Sequence, residues 1–329
     1  MVEISAAVRM AVICRKSPAI ISEMTQTTRP ITPTIRVAVG VTIFRPDWSL
    51  LQPLVDLFQP MGLEVFAHID GPIGMAIEPE TLEALEARPW VRLLRTPENQ
   101  GIGFALNKLA EAAGGAGASH LLVFDQDSSP NPQLPALLVS AFTALQKAGE
   151  LPAVVGPRPV VPAGEIGQPP RYVFRGQSMA HCEAVDYVIT SGSLVDLSAF
   201  SVIGPFRADY FIDGIDVEWS LRAWDHGFSV WITKNAELPH RIGYGVIKFG
   251  FLRFPDQSQT RMITYVRNRA AMLRLSHMPL RWKLQSLIYV PLQSIAYACN
   301  RGGWSFLWRL VRAAADGWKG RLTPVNMGR

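Results

Sequence analysis

Two carboxylates two residues apart, Asp125 and Asp127, close the apolar run in SHLLVFDQDSSP, residues 119–130. A hard divalent cation, Mg²⁺ or Mn²⁺, takes one or two such carboxylates and completes its shell with water and substrate phosphates. There it would neutralise a diphosphate as a leaving group. The same pair is also compatible with a polar turn or a helix cap at the end of an ordinary strand. Asp70 ends the apolar run LEVFAHID, and Asn99 precedes the glycine-rich start of NQGIGFALN. Three polar features at the ends of apolar runs carry more weight than any one of them.

The elements around these groups alternate. IRVAVGVTIF (35–44) is a β-branched run of the kind found in a buried parallel strand. PDWSLLQPLVDLFQPMG (46–62) places Leu50, Leu51, Leu54, Val55 and Phe58 at helical spacing behind a Pro-Asp entry. LEVFAHID, VRLLRT and HLLVF read as further strands, with PETLEALEARP and the stretch after NQGIG as the helices between them. This β-α-β-α-β-α-β order predicts an α/β fold with a mixed, mostly parallel sheet flanked by helices. In such sheets ligands lie beyond the carboxyl ends of the strands. The second half is less regular. Helices are expected over 216–227 and 260–275, a strand over 228–233, and a helical C-terminal extension.

Composition narrows the class. Of 329 residues, 48% are apolar and 18% charged, a globular balance. The net charge of +5 is modest and argues against a nucleic-acid partner. Cys14, Cys182 and Cys299 are far apart and odd in number, which argues against a disulfide framework and fits a reducing cytosol. No run approaches the ~20 apolar residues of a membrane span. Residues 1–34 read as a poorly ordered extension, with Met24 as a natural start. The expected division is 1–34, a main domain over 35–250, and a helical region over 251–329.

PENQGIGFALNKLAEAA, HLLVFDQDSSP, ITSGSLVDLSAFSVIGPFRADYFIDGIDVEWSLRAWDHGF and YVRNRAAML occur in an order that resembles the family 2 glycosyltransferases of the GT-A fold, in their rhamnosyltransferase-like branch. The likeness covers roughly residues 36–275. It implies an inverting transferase that moves a sugar, L-rhamnose from dTDP-rhamnose being the named case, to a saccharide or lipid-linked acceptor in cell-surface polysaccharide synthesis. Carried over residue by residue, Thr42, Asp70, Asn99, Gly101, Asn107, Asp125 and Gly192 would bind the nucleotide-sugar. Asp125, Asp127 and His240 would hold the metal. Asp216 would be the catalytic base, with Asp213 and Glu218 as fallbacks. Trp219 would stack on an acceptor sugar or pack in the core. Two departures stand out: HIDGPIG where relatives often have Asp-Asn-x-Ser, and Ile215 where many have Glu. A nucleotidyltransferase of the same fold would carry a basic glycine-rich loop where this chain has FRPDW. A catalytically silent sugar-binding protein is the remaining alternative.

Residues 279–322 combine Trp282, Trp304, Trp308 and Trp318 with seven Arg and Lys residues. Amphipathic helices of this composition suit a membrane interface. The expectation is a cytoplasmic protein held peripherally on the inner face of a bacterial membrane, with packing on the main domain or a homodimer contact as the alternatives.

Overall fold

The computed structural model describes residues 35–161, 172–240, 245–250 and 252–322. The N-terminal extension expected over 1–34 lies outside them. The first half forms β1 (Val37–Ile43), α1 (Trp48–Asp56), β2 (Val65–Asp70), α2 (Pro79–Glu86), β3 (Val91–Thr96), α3 (Ile102–Gly115), β4 (His120–Asp125) and α4 (Leu134–Lys147). Next come β5 (Pro152–Val160), β6 (Phe174–Met179), β7 (Cys182–Val185), β8 (Ser193–Asp196), α5 (Leu197–Ile203), α6 (Ile215–Asp225) and β9 (Ser229–Pro239). A two-stranded antiparallel hairpin, β10 (Gly245–Phe249) and β11 (Leu252–Asp256), leads to α7 (Gln259–Met272), α8 (Leu280–Tyr297) and α9 (Gly303–Trp318).

The sheet has nine strands in the order β3-β2-β1-β4-β8-β5-β9-β7-β6. Among them only β8 and β7 run against the common direction. Along β4 the side chains alternate: Leu121 and Val123 join one apolar cluster, and Leu122 and Phe124 join the other. This is the two-residue period of a strand covered on both faces. Burying each such side chain stabilises by roughly 1.5–3 kcal/mol.

Chain order along the sheet reverses between β1 and β4. The first three strands step outward through β2 to β3, and the chain then returns to β4 on the other side of β1. Crossovers leave in opposite directions from such a point, so a crevice opens above the strand ends. Thr42 and Asp125 are register partners there.

The strands VRLLRT and HLLVF and the helices expected over 216–227 and 260–275 are present to within a few residues. β9 runs six residues beyond the expected Thr233, to Pro239. The β6–β7 and β10–β11 hairpins carry no regular apolar alternation and were not foreseen. The helical region after residue 250 packs on the main sheet: Ala271, Met272, Met278 and Trp282 lie in the same apolar cluster as Leu121 and Val123. The start of α8 is also anchored to the sheet. Asp186 is fully buried and accepts from Arg175 Nε at 2.8 Å, Trp282 Nε1 at 2.6 Å, and the Arg281 guanidinium.

Candidate active site

The carboxyl ends of β1, β2 and β4 open into a crevice of about 1490 Å³. Thr42, Asp70, Asn99, Asp125 and Asp127 line it from the first half, and Asp213, Asp216 and His240 from the second. The far wall comes from α7 and α8.

Asp125 ends β4 and is half-buried. Its carboxyl is pushed up to about 7, first by burial and then by the charge of Asp127, with Arg261 opposing and Asp216 adding. A carboxylate that ionises this reluctantly gains from a cation beside it. Asp127 is exposed on the crevice. His240, after the last sheet strand, is held below its ordinary value by burial, while the Asp127 charge pulls the other way. Its imidazole is therefore neutral near pH 7, the form that binds metals. Among the described residues, no group of three or more His, Cys, Asp or Glu is already drawn together around a metal position. Two carboxylates and a neutral imidazole on one crevice nevertheless fit Mg²⁺ or Mn²⁺, whose remaining ligands are water and phosphate oxygens.

Gln126 separates the two acids. Its Oε1 accepts from Phe44 N at 2.7 Å, and its Nε2 donates to Phe44 O at 2.9 Å. The side chain thus imitates one more backbone pair of the β1–β4 ladder. It ties the end of β1 to β4 and leaves the acids on either side of it at the crevice.

Asp216 lies in the first turn of α6. Its Oδ1 accepts from Val217 N at 2.8 Å. Burial raises its carboxyl to about 6, with the Val217 N–H opposing and the Asp213 charge adding. Asp213 is engaged differently: Arg261 grips it through Nε and Nη2 at 3.0–3.2 Å. Both of its oxygens are thus occupied by one guanidinium.

The segment leading to Asp216 is strained. Phe211 has φ 65° and Asp213 φ 67°, and Gly214 at φ 82° caps α6. A left-handed non-glycine residue costs roughly 1–2 kcal/mol. Asn268 of α7 offsets this. Its Nδ2 reaches Tyr210 O at 2.9 Å, Ile212 O at 2.7 Å and Asp213 O at 2.9 Å. Arg267 also donates to Tyr210 O, at 3.0 Å.

Several expected ligand contacts have a different use. A Cβ on Gly101 would lie 2.5 Å from Phe211 O, and one on Gly103 would lie 2.7 Å from Arg207 O. The close approach at the N-terminus of α3 is therefore made by the strained segment itself, through Ile102 N to Phe211 O at 2.8 Å. Asn107 does not face the crevice. It pairs with the backbone of Phe206, donating at 2.9 Å and accepting at 2.8 Å. Asp70 lines the crevice, but its two oxygens accept from Gln100 N and Gly101 N, each at 2.8 Å. Asn99 Oδ1 also receives Gly101 N, at 3.1 Å.

Three further residues singled out from sequence do not line the crevice. Glu218 is buried, bonded to Arg222 at 3.0 Å with His277 Nε2 at 2.9 Å, and lies outside the crevice. Trp219 packs against Phe200 and Phe206 and donates to Gly204 O at 2.9 Å, so the core alternative holds. Gly192 donates to Val123 O at 2.6 Å, and a Cβ there would lie 2.7 Å from Leu238. Its neighbour Ser191 lines the crevice instead and meets Ser128 Oγ at 2.6 Å.

Tyr187 and the α7–α8 wall, with Arg261, Asn268, Arg269, Trp282 and Tyr289, were not assigned from sequence. The available signal was Asn268, a poor helix former between two arginines inside an otherwise regular helix.

No family model matches the chain. The chain is 28% identical over 133 residues to the dTDP-rhamnosyl transferase RfbF of Shigella flexneri, covering 40% of this chain and 45% of the relative. It thus spans about half the length of that relative. The chain superposes on TarS of S. aureus with UDP-GlcNAc at TM-score 0.56 and 14% identity, over 88% of this chain and 83% of that one. The mannosyltransferase PcManGT of Pyrobaculum calidifontis, solved with GDP-Man and Mn²⁺, matches at TM-score 0.53 and 15% identity, over 96% of this chain and 97% of that one. The fold is that of the GT-A glycosyltransferases, and the resemblance to the rhamnosyltransferase-like branch has a curated counterpart in the Shigella protein.

Proposed function

We propose that the chain is an inverting glycosyltransferase that moves a sugar from a nucleotide-diphospho-sugar to the hydroxyl of a saccharide or lipid-linked acceptor. The observation carrying this reading is Asp216, an acid of raised affinity for protons, lining one crevice together with Asp125, Asp127 and His240. The likeness to a dTDP-rhamnosyl transferase favours dTDP-L-rhamnose as donor and cell-surface polysaccharide as product.

Thr42 and Asn99 stand where the nucleoside would enter, at the end of β1 and before α3. Asp70 holds the Asn99–Gly101 turn in shape. Asp127, Asp125 and His240 would hold Mg²⁺ or Mn²⁺. When bound, the ion supplies positive charge that lowers the cost of releasing a nucleoside diphosphate. Asp216, ionised, accepts the acceptor hydroxyl's proton while that oxygen bonds to the anomeric carbon from the face opposite the diphosphate. The bond from the anomeric carbon to the diphosphate oxygen breaks with both electrons, and the configuration inverts. Asp213 is held in an ion pair with Arg261, whereas Asp216 has no such partner among the described residues.

The test is turnover of dTDP-rhamnose with Mg²⁺ or Mn²⁺ by the wild-type chain and by Asp216→Asn. The expected result is a loss of at least about 10²-fold in kcat with donor binding retained, the scale of general-base contributions. Wild-type activity in the variant overturns the base assignment. Failure of a panel of nucleotide-sugars to turn over or to stabilise the wild-type fold overturns the transferase reading.

A further inference from the structure

Helix α8 has two unlike sides. Trp282, Gln285, Tyr289 and Gln293 recur at three- and four-residue spacing and line the crevice. Leu280, Leu284, Leu287, Ile288, Leu292 and Ile295 recur at the same spacing on the opposite side, and all are exposed. Leu280 is 70% exposed and Ile288 66%. Such a stripe normally faces an apolar phase. Helix α9 repeats the arrangement. Phe306, Leu310, Ala313 and Gly317 are buried, with Gly317 packed on the Arg267 backbone of α7. Trp304, Trp308, Val311 and Trp318 form an exposed stripe on the other side, with Trp304 at 80%.

Charge identifies the occupant. Residues 280–322 hold seven Arg and Lys and one acid, Asp316, whereas the whole chain carries +5. The rest of the molecule is therefore close to neutral, and the excess lies on the helices that expose the apolar stripes. A second copy meeting this face about a two-fold axis would set like charge against like. An anionic bilayer complements it, with tryptophans at the headgroup level and Arg and Lys reaching phosphate. No helix among the described residues is long and apolar enough to cross a membrane, so the contact would be with the surface.

We propose that α8 and α9 dock on an anionic lipid surface and that α8 stands between that surface and the crevice. The identity of the acceptor as lipid-linked rests on the transferase reading; the docking does not. The test is co-sedimentation of the full chain with phosphatidylcholine vesicles, with and without phosphatidylglycerol. Binding is expected only with the anionic lipid, and release on raising the salt. Substituting Trp304→Ser, Trp308→Ser and Trp318→Ser together is expected to weaken partitioning by about tenfold or more. Arg309→Gln, Arg312→Gln and Lys319→Gln together should do the same without touching an apolar residue. All six positions are exposed, and an unchanged melting temperature and unchanged turnover of a water-soluble acceptor would show the fold intact. Three outcomes overturn the proposal: a chain that stays in the supernatant with anionic vesicles at low salt, equal binding to both lipid compositions, or a dimer that the tryptophan substitutions split in the absence of any vesicle binding.

Discussion

Asp216 carries a conflict between stability and use. Its carboxyl is raised to about 6 in the folded chain, above the 3.8 of an unperturbed aspartate. The folded state therefore binds more protons than the unfolded state between those values. The contribution to stability is full below pH 3.8 and lost as pH rises through 6. Catalysis needs the ionised form. We expect kcat/KM to climb with pH to a plateau above an inflection near 6, and the inflection to vanish from the residual activity of Asp216→Asn. The same variant should be more stable than wild type at pH 8, by on the order of 1–3 kcal/mol, because it no longer buries a charge. Thermal melts of the two proteins at pH 5 and pH 8 check this: the gap should widen at the higher pH. Two acids in sequence, Asp213 and Asp216, carry no mark of which one is held in an ion pair. The answer depends on Arg261, 48 residues after Asp213, whose grip becomes visible only in the folded chain.

At the scale of elements, much was legible where one residue type serves one local period. The parallel strands and their helices follow from apolar spacing, and the acids at strand ends follow from the fold class. The uses of Gly101, Gly103 and Asn107 were not legible, because each serves contact with residues about 100 positions away. A glycine-rich helix start looks the same whether phosphate or backbone approaches it. Here α3 from one side and Asn268 of α7 from the other hold the left-handed turn that presents Asp216. Asn268→Ala removes three hydrogen bonds from a buried carbonyl cluster. We expect a loss of about 2–4 kcal/mol in stability, and a fall in kcat exceeding any change in donor affinity. Asn268→Asp, which cannot donate to three carbonyls, should not rescue it. A variant with full kcat would separate Asn268 from the positioning of the base.

Among the described residues, both halves of the chain line the crevice, the candidate metal acids coming from the first half and the candidate base from the second. The C-terminal region is part of that construction: α7 secures the base, and α8, anchored through Asp186, supplies the far wall. With one side of α8 turned to a bilayer, an acceptor anchored in that bilayer would reach the crevice by lateral diffusion along two dimensions. Turnover on vesicles would then follow the mole fraction of acceptor in the lipid. Diluting a fixed amount of acceptor with added phosphatidylglycerol should slow the reaction, although its bulk concentration is unchanged. A rate set by bulk concentration alone would show that acceptors arrive from solution.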